Sequence, residues 1–280
     1  MTAVDLHVHT NASDGRASPT EAVRCAEAAG LGAIALTDHD TLAGATLVAD
    51  GAGPVRVVAG CEFSVAAPWG EMHLLAYFLP LRDASLEAFL ADQRTHRAAR
   101  GAEIVGQLNR LGVAIAYEDV KAEAGGAALG RPHIARALVA CRAVKDVSAA
   151  FERYLGAGRP AFVPKVLPTA AEVLALVRSV GGVTSAAHLN ERGTLDTVRD
   201  LAVAGLDAIE VRHPSHDGGV ERRIARAAAA CGLLRTGGSD WHGDSGPRRD
   251  RGALGGLTVP SEWLDALEEL HARRAGRVAA

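Results

Sequence analysis

Short runs of β-branched and aliphatic residues recur along this chain, separated by alanine-rich stretches with helical patterning, and few folds accept that rhythm. Seven runs are candidate strands, at 3–8, 32–37, 55–60, 72–78, 182–187, 206–211 and 233–238. The alternation predicts parallel α/β architecture, and seven strands suit a (β/α) barrel. Two of the intervening helices begin with a capping box: Ser18, Pro19 and Glu21 in "SPTE", and Thr169 with Glu172 in "TAAE". Gly30 and Gly181 read as their C-terminal stops.

Between residues 82 and 165 the alternation fails. "LEAFLADQRTHRAARGAEIVGQLNRLG" reads as one long helix, and "PHIARALVACRA" and "DVSAAFERYL" as two shorter ones. The reading is therefore a barrel formed by 1–81 and 166–280, with a helical cap, 82–165, inserted between its fourth and fifth strands. The cap carries 13 basic and 9 acidic residues, against 17 and 24 in the remainder. A basic cap over an acidic barrel suits an anionic substrate held between them, although ordinary surface helices would show a similar bias. The closing "HARRAGRVAA" reads as a frayed end.

Composition narrows the function. A net charge of −3 gives no global attraction to nucleic acid or anionic membrane. The four cysteines, Cys25, Cys61, Cys141 and Cys231, form no CxxC pair, which excludes a thiolate zinc site of the usual spacing. No secretion signal is visible in "MTAVDLHVHT", and no apolar stretch approaches the ~20 residues of a membrane span. The expectation is a cytoplasmic protein with no membrane partner.

Each candidate strand carries metal-ligand side chains, mostly at its C-terminal end. The first ends in His7 and His9, with Asp14 in the next loop; the second ends in Asp38, His39 and Asp40. The third ends at Glu62, the fourth carries His73, and the fifth ends at His188. The sixth is followed by His213 and His216, and the seventh by Asp240 and His242. In a parallel barrel such ends converge on one face. His7 and His9, two apart on a strand, point to the same side. Buried imidazoles are tolerated there if a cation satisfies them. Nitrogen and oxygen donors without sulfur favour zinc, manganese or iron.

The segments "DLHVHTNASDG", "TDHDT", "GCEFS", "RPHIARAL", "GLDAIEVRHPSH" and "GSDWHG" resemble the motifs of the PHP (polymerase and histidinol phosphatase) family of metal-dependent phosphoesterases. Their order, with the helical insertion, is most similar to the nucleoside 3′,5′-bisphosphate phosphatases and related RNA 5′–3′ exonucleases. The resemblance implies a distorted seven-stranded barrel of TIM type and two or three divalent ions (Mn²⁺, Zn²⁺ or Fe²⁺). One ion would take His7, His9, Glu62 and Asp240; a second would share Glu62 and add His73 and His188. Asp14, His39 and His242 would hold a third. One departure is Leu189, where the family commonly has proline after the histidine. It leaves the shape of loop 189–194, and any substrate contact from Arg192, open.

The implied activity is hydrolysis of the 3′-phosphate of a nucleoside 3′,5′-bisphosphate, such as 3′-phosphoadenosine 5′-phosphate, with 5′–3′ exonuclease action on short RNA beside it. A water whose pKa the ions lower towards ~7 attacks phosphorus in line. His213 or His216 is placed to donate a proton or bind phosphate. Asp38 or Asp40 would orient His39 or its neighbours, or cap the next helix, the better reading for Asp40. Arg131, Lys165 and Arg192 are candidate substrate cations, as is His133, which could equally cap its own helix. Trp69 and Trp241 are the aromatic candidates near the mouth. An aromatic content of 4% is thin for a long stacking track and favours a small nucleotide or short oligonucleotide over long duplex nucleic acid. Histidinol-phosphate phosphatase, a metal-dependent C–N hydrolase and a non-catalytic sensor are the competing readings. His96 and His271 are expected to face solvent.

Overall fold

A computed structural model of the chain describes residues 3–49, 51, 53–243 and 252–278. Its centre is one sheet of eight strands, in the order β7-β6-β5-β4-β3-β2-β1-β8. The seven expected runs are all strands: β1 (Ala3–Val8), β2 (Ala33–Leu36), β3 (Arg56–Ala67), β4 (Gly70–Tyr77), β5 (Val183–Ala186), β6 (Ala208–Arg212) and β7 (Leu234–Gly237). The eighth, β8 (Val259–Pro260), is only two residues long and pairs antiparallel with Ala3 and Val4. A stretch that short leaves no periodic signal, so the count of seven is corrected to eight. The sheet nearly closes where His9 N–H donates to the Trp241 carbonyl at 2.8 Å, just past β7.

The all-parallel expectation also fails at one place. Strands β3 and β4 form a hairpin, paired antiparallel from Gly60–Tyr77 to Ala67–Gly70, and β4 then pairs antiparallel with β5. Both strands are longer than the candidate runs because the hairpin extends past the barrel rim. The other pairs among β1–β3 and β5–β7 are parallel.

Helices α1 (Pro19–Ala28), α7 (Ala170–Ser179), α8 (Leu195–Val203) and α9 (Gly218–Cys231) surround the sheet, with the short α2 (Ala43–Val48) after β2. Both capping boxes form: Ser18 Oγ accepts the Glu21 N–H and Thr169 Oγ1 the Glu172 N–H, each at 3.2 Å. Gly30 and Gly181 follow their helices at φ +73° and +79°. Of the closing stretch read as a frayed end, residues 271–278 belong to helix α10 (Ser261–Val278), and 279–280 lie outside the described residues. His271 in α10 donates its Nδ1–H to the Gly181 carbonyl at 2.8 Å and stacks on Phe78, so it is not solvent-facing.

Between β4 and β5 lie α3 (Ala84–Arg110), α4 (Tyr117–Ala124), α5 (Arg131–Ala140) and α6 (Val147–Ala150), the last running into a π-turn at Phe151–Leu155. Only α4 was not foreseen. Helix α3, about 40 Å long at 1.5 Å per residue, is shared between two cores. Leu86 and Leu90 pack with the barrel residues Phe63, Leu74 and Val177. Ile104, Val105 and Leu108 join Ile134, Leu138 and Leu155 in a cluster drawn wholly from the segment between β4 and β5. Each such fully buried aliphatic side chain contributes roughly 1.5–3 kcal/mol. The segment meets the loop after β1, where Arg136 donates to the Asp14 carbonyl and Ala128 N–H to the Ala12 carbonyl. Among the described residues no helix is long and apolar enough to cross a membrane.

Candidate metal centre

On β1 alternate positions face opposite ways: Val4, Leu6 and Val8 enter the apolar clusters, while Asp5, His7 and His9 face inward. His7 Nε2 and His9 Nε2 lie 3.0 Å apart. Asp240 Oδ1, following β7, is 3.3 Å from the first and 3.2 Å from the second. Glu62 sits between them, its two oxygens 3.5 Å from His7 and 3.2 Å from His9. The same carboxylate reaches His73 Nδ1 at 2.9 Å, His188 Nε2 at 3.1 Å and His39 Nδ1 at 3.1 Å. Asp14 meets His242 Nε2 at 3.4 Å and His39 Nε2 at 3.7 Å. All nine candidate ligands thus come together in one buried patch. His73 joins because β4 runs backwards. Its N-terminal half therefore lies at the same rim as the C-terminal ends of the parallel strands.

Burial alone would discharge these histidines and protonate these carboxylates. Mutual attraction overcomes it for most of them. His9, beside Asp240 and Glu62, is raised to about 10, and His73, against Glu62, to about 9. Glu62, Asp14 and Asp240 are held well below the usual carboxylate range by the surrounding imidazoles. For His39 burial wins and its pKa is lowered well below 6.5. Two buried ring nitrogens of the patch make no hydrogen bond: His9 Nδ1, and His39 Nδ1, whose 3.1 Å contact with Glu62 lacks hydrogen-bond geometry. Donor atoms in groups such as His7–His9–Asp240, Glu62–His73–His188 and His9–Asp14–His242 all lie within 4.8 Å of one another. Close-set nitrogen and oxygen donors, with buried ring nitrogens left over, fit divalent cations, which would take the place of the protons.

Three carboxylates hold this patch from behind. Glu210 on β6 pairs with His7 Nδ1 at 3.1 Å and accepts the His188 N–H at 2.7 Å, so it orients two ligands at once. Asp5, raised to about 6 by burial, accepts the Ser239 N–H and ties the Asp240 loop to β1. Neither was singled out in the sequence, yet a glutamate inside the apolar run "AIEV" was the available signal. Asp38 accepts from Thr10 N–H and Oγ1, both at 2.7 Å, and from Ser13 Oγ at 2.6 Å. Its contacts are with the loop bearing Asp14, a neighbour of His39, and not with the His39 ring. Asp40 caps no helix either: α2 has Leu42 at its N-cap, and the Asp40 carboxylate takes Arg97 Nε at 2.5 Å.

The two histidines after β6 differ. His213 Nε2 is 3.4 Å from Asp240 Oδ2, while its Nδ1 accepts the Ser215 N–H at 3.1 Å. His216 is fully buried, its Nδ1–H donating to the Val211 carbonyl at 3.0 Å and its Nε2 accepting the Asn190 N–H at 3.3 Å. Both nitrogens are spent on backbone, so His216 is a structural staple and not a proton donor. What it staples is the loop after His188. Here Leu189 is buried in the barrel core, and His188 and Asn190 take positive φ of 29° and 50°. Asparagine tolerates that conformation better than most residues.

A cavity of about 330 Å³ opens on the centre. Asp14, His39, His73 and His188 of the patch line it together with the cations Arg97, Arg100, Arg131, Lys165 and Arg192 and the aromatic rings of Trp69 and Phe151. Arg131 donates to the Leu155 carbonyl at 3.3 Å. Lys165 donates to Ser64 Oγ at 2.8 Å and to Glu71, whose carboxylate also takes His73 Nε2 at 2.8 Å. Arg94, Arg97 and Arg100, three apart in "RTHRAAR", mark one face of α3, a spacing the sequence offered and the reading passed over. His133 is buried and accepts the Gly130 N–H at 3.0 Å, capping its own helix outside the cavity. Trp241 is buried in the core under α1 and is not at the mouth.

A barrel whose rim gathers imidazoles and carboxylates beneath a wall of arginines defines a metal-dependent hydrolase of phosphoric esters. The chain belongs to the PHP family: the PHP domain model matches residues 5–114. It is 35% identical to a 5′-3′ exoribonuclease of Haemophilus influenzae, over 85% of this chain and 89% of that one. It is 30% identical to a 3′,5′-nucleoside bisphosphate phosphatase of Chromobacterium violaceum, over 90% and 91%. A crystal structure of a candidate metal-dependent phosphoesterase from Bifidobacterium adolescentis superposes with a TM-score of 0.87 at 29% identity, covering 96% of both chains.

Proposed function

We propose that this protein removes the 3′-phosphate from nucleoside 3′,5′-bisphosphates, with 5′–3′ exonuclease action on short 5′-phosphorylated RNA as a related activity of the same site. The observation that carries this reading is the cationic wall facing the ligand patch across one small cavity. The Arg100 guanidinium is pushed down to about 10, by burial first and then by the charge of Arg131, so the wall holds more positive charge than its surroundings offset. A dianionic group relieves that crowding. Two phosphates on one small molecule would occupy both faces, one on the ligand patch and one on the wall.

His7, His9, Glu62 and Asp240 would hold one divalent ion, Glu62, His73 and His188 a second, and Asp14, His39 and His242 a third. When bound, these ions supply charge for a phosphate and acidify a coordinated water. The protein's own part is positional. Glu210 and Glu71 fix the rings of His7 and His73 through their far nitrogens. Arg97, locked by Asp40, and Arg131, held at Leu155, present donors in fixed places, which lowers the entropic cost of engaging a second phosphate. A volume of about 330 Å³ sits at the small end of the roughly 300–1,000 Å³ usual for ligand sites, which suits one nucleotide or a strand end. Histidinol phosphate, with one phosphate and a cationic amine, matches the wall poorly.

The test is phosphate release from 3′-phosphoadenosine 5′-phosphate with Mn²⁺, alongside histidinol phosphate, 5′-AMP, a short 5′-phosphorylated RNA and an amide substrate. Metal-dependent production of 5′-AMP, faster than any other release, is the expected outcome. Preferential turnover of histidinol phosphate or of the amide would overturn the proposal.

A further inference from the structure

We propose that Arg192 and Trp69 form a stacking platform that reads the nucleobase of the substrate. The inference rests on the nucleotide reading above and adds the part of the nucleotide that the phosphate-facing groups do not touch.

The wall cations divide into two kinds. Arg97, Arg100, Arg131 and Lys165 each donate to a protein carboxylate, hydroxyl or carbonyl. Arg192 differs: among the described residues its guanidinium makes no hydrogen bond or ion pair. Its charge centre lies instead 5.8 Å from the centre of the Trp69 ring, over its face. Both residues line the cavity and come from different parts of the fold. Trp69 sits in the turn of the β3–β4 hairpin and Arg192 in the 3₁₀ turn after His188.

Each partner is held from outside the cavity. The indole N–H of Trp69 donates to the Glu71 carbonyl at 3.0 Å, which fixes the ring. The loop carrying Arg192 is fastened at Asn190. There Nδ2 donates to the His188 carbonyl at 2.8 Å, Oδ1 accepts Ser215 Oγ at 2.8 Å, and the carbonyl accepts Arg223 at 2.9 Å. With the His216 contact, every polar group of Asn190 is engaged. The loop is therefore rigid up to a side chain that is itself exposed and uncommitted. An arginine plane stacked on an aromatic face presents a second flat, desolvated surface. A planar base laid on its outer side completes three layers: base, guanidinium, indole. His188 lies only four residues before Arg192, so the platform stands beside the reacting phosphate's site, where the base of a nucleoside 3′-phosphate would fall.

The experiment compares kcat/KM for adenosine 3′,5′-bisphosphate and for methyl riboside 3,5-bisphosphate, which has both phosphates and no base. The ratio is measured for the Mn²⁺-loaded wild type, Trp69→Ala, Trp69→Phe, Arg192→Ala and Arg192→Lys. Loss of base stacking lowers the ratio about 5- to 150-fold in Trp69→Ala and Arg192→Ala. Arg192→Lys falls with them, because lysine keeps the charge and loses the plane, whereas Trp69→Phe retains most of the preference. Arg192 is exposed, so its variants remain folded if Trp69→Ala does not. An Arg192→Lys enzyme with the wild-type ratio would make Arg192 a point charge for phosphate and overturn the platform. Equal wild-type efficiency on the two substrates would overturn it while leaving the bisphosphatase reading intact. Turnover of other phosphate esters but of neither bisphosphate would remove both.

Discussion

The two faces of the cavity are built by different means. The ligand patch stands on strand ends, and its side chains are buried, mutually neutralising and supported by carboxylates one layer behind. The wall comes mainly from α3, α5 and the segment around Lys165, over a separate apolar cluster, and its charges are mostly positive, with Glu71 among them. A patch that is electrostatically satisfied by its own members or by ions needs no substrate to be stable. The wall cations are held by hydrogen bonds to Asp40, Glu71, Val163 and Leu155 that do not offset all of their charge, so the wall gains from an anion. The difference implies that substitutions in the patch act on ion binding and substitutions in the wall act on substrate affinity.

The largest effect belongs to Glu62, whose carboxylate lies within 3.5 Å of five histidines. Replacing it with glutamine lowers metal affinity by more than the roughly 10–100-fold typical of an outer supporting residue, as read by calorimetric titration. Wild-type affinity in Glu62→Gln would show that the patch is not an ion site. Next in size, Leu138→Ala in the inserted helices costs about 2–5 kcal/mol of local stability. If 82–165 folds as its own unit, as we propose, this variant exposes the wall to protease and raises KM while metal affinity in the patch persists. A single cooperative loss of both in thermal unfolding would show one unit.

Glu210→Gln tests the layer behind the patch, with metal affinity falling about 10–100-fold and the fold intact by circular dichroism. On the wall, Arg131→Ala raises KM for a bisphosphate about 10-fold, the low end of about 1.5–3 kcal/mol for a charged hydrogen bond. The penalty shrinks as ionic strength rises. Equal loss in KM and kcat would place Arg131 with the patch instead.

The smallest effect concerns Glu71, the one carboxylate shared by both faces. Burial pushes its pKa up, but the His73 hydrogen bond and the Lys165 charge outweigh that and hold it below its ordinary 4.5. A depressed carboxylate contributes stability that is complete above pH 4.5 and lost as pH falls towards its folded value. The melting-temperature gap between wild type and Glu71→Gln is therefore widest near neutrality and closes on acidification. A gap that widens in acid would contradict this pairing.

What the sequence by itself determined is local. Strand and helix alternation, the two capping boxes and the ligand types at seven strand ends are short-range features, each legible within a few residues because backbone periodicity and capping act over that range. The tertiary structure decided whatever depends on residues brought together from afar. The reversal of β4 delivers His73 to the rim. Glu210 supports His7 across 203 positions of chain, and Asp40, which by local context alone reads as a helix cap, is taken by Arg97 57 positions on. His216 reads as chemistry in "RHPSH" and becomes structural only because Asn190 and Val211 claim both its nitrogens. Side-chain role follows from which partners occupy the remaining hydrogen-bond positions, and those partners are fixed only when the chain has folded.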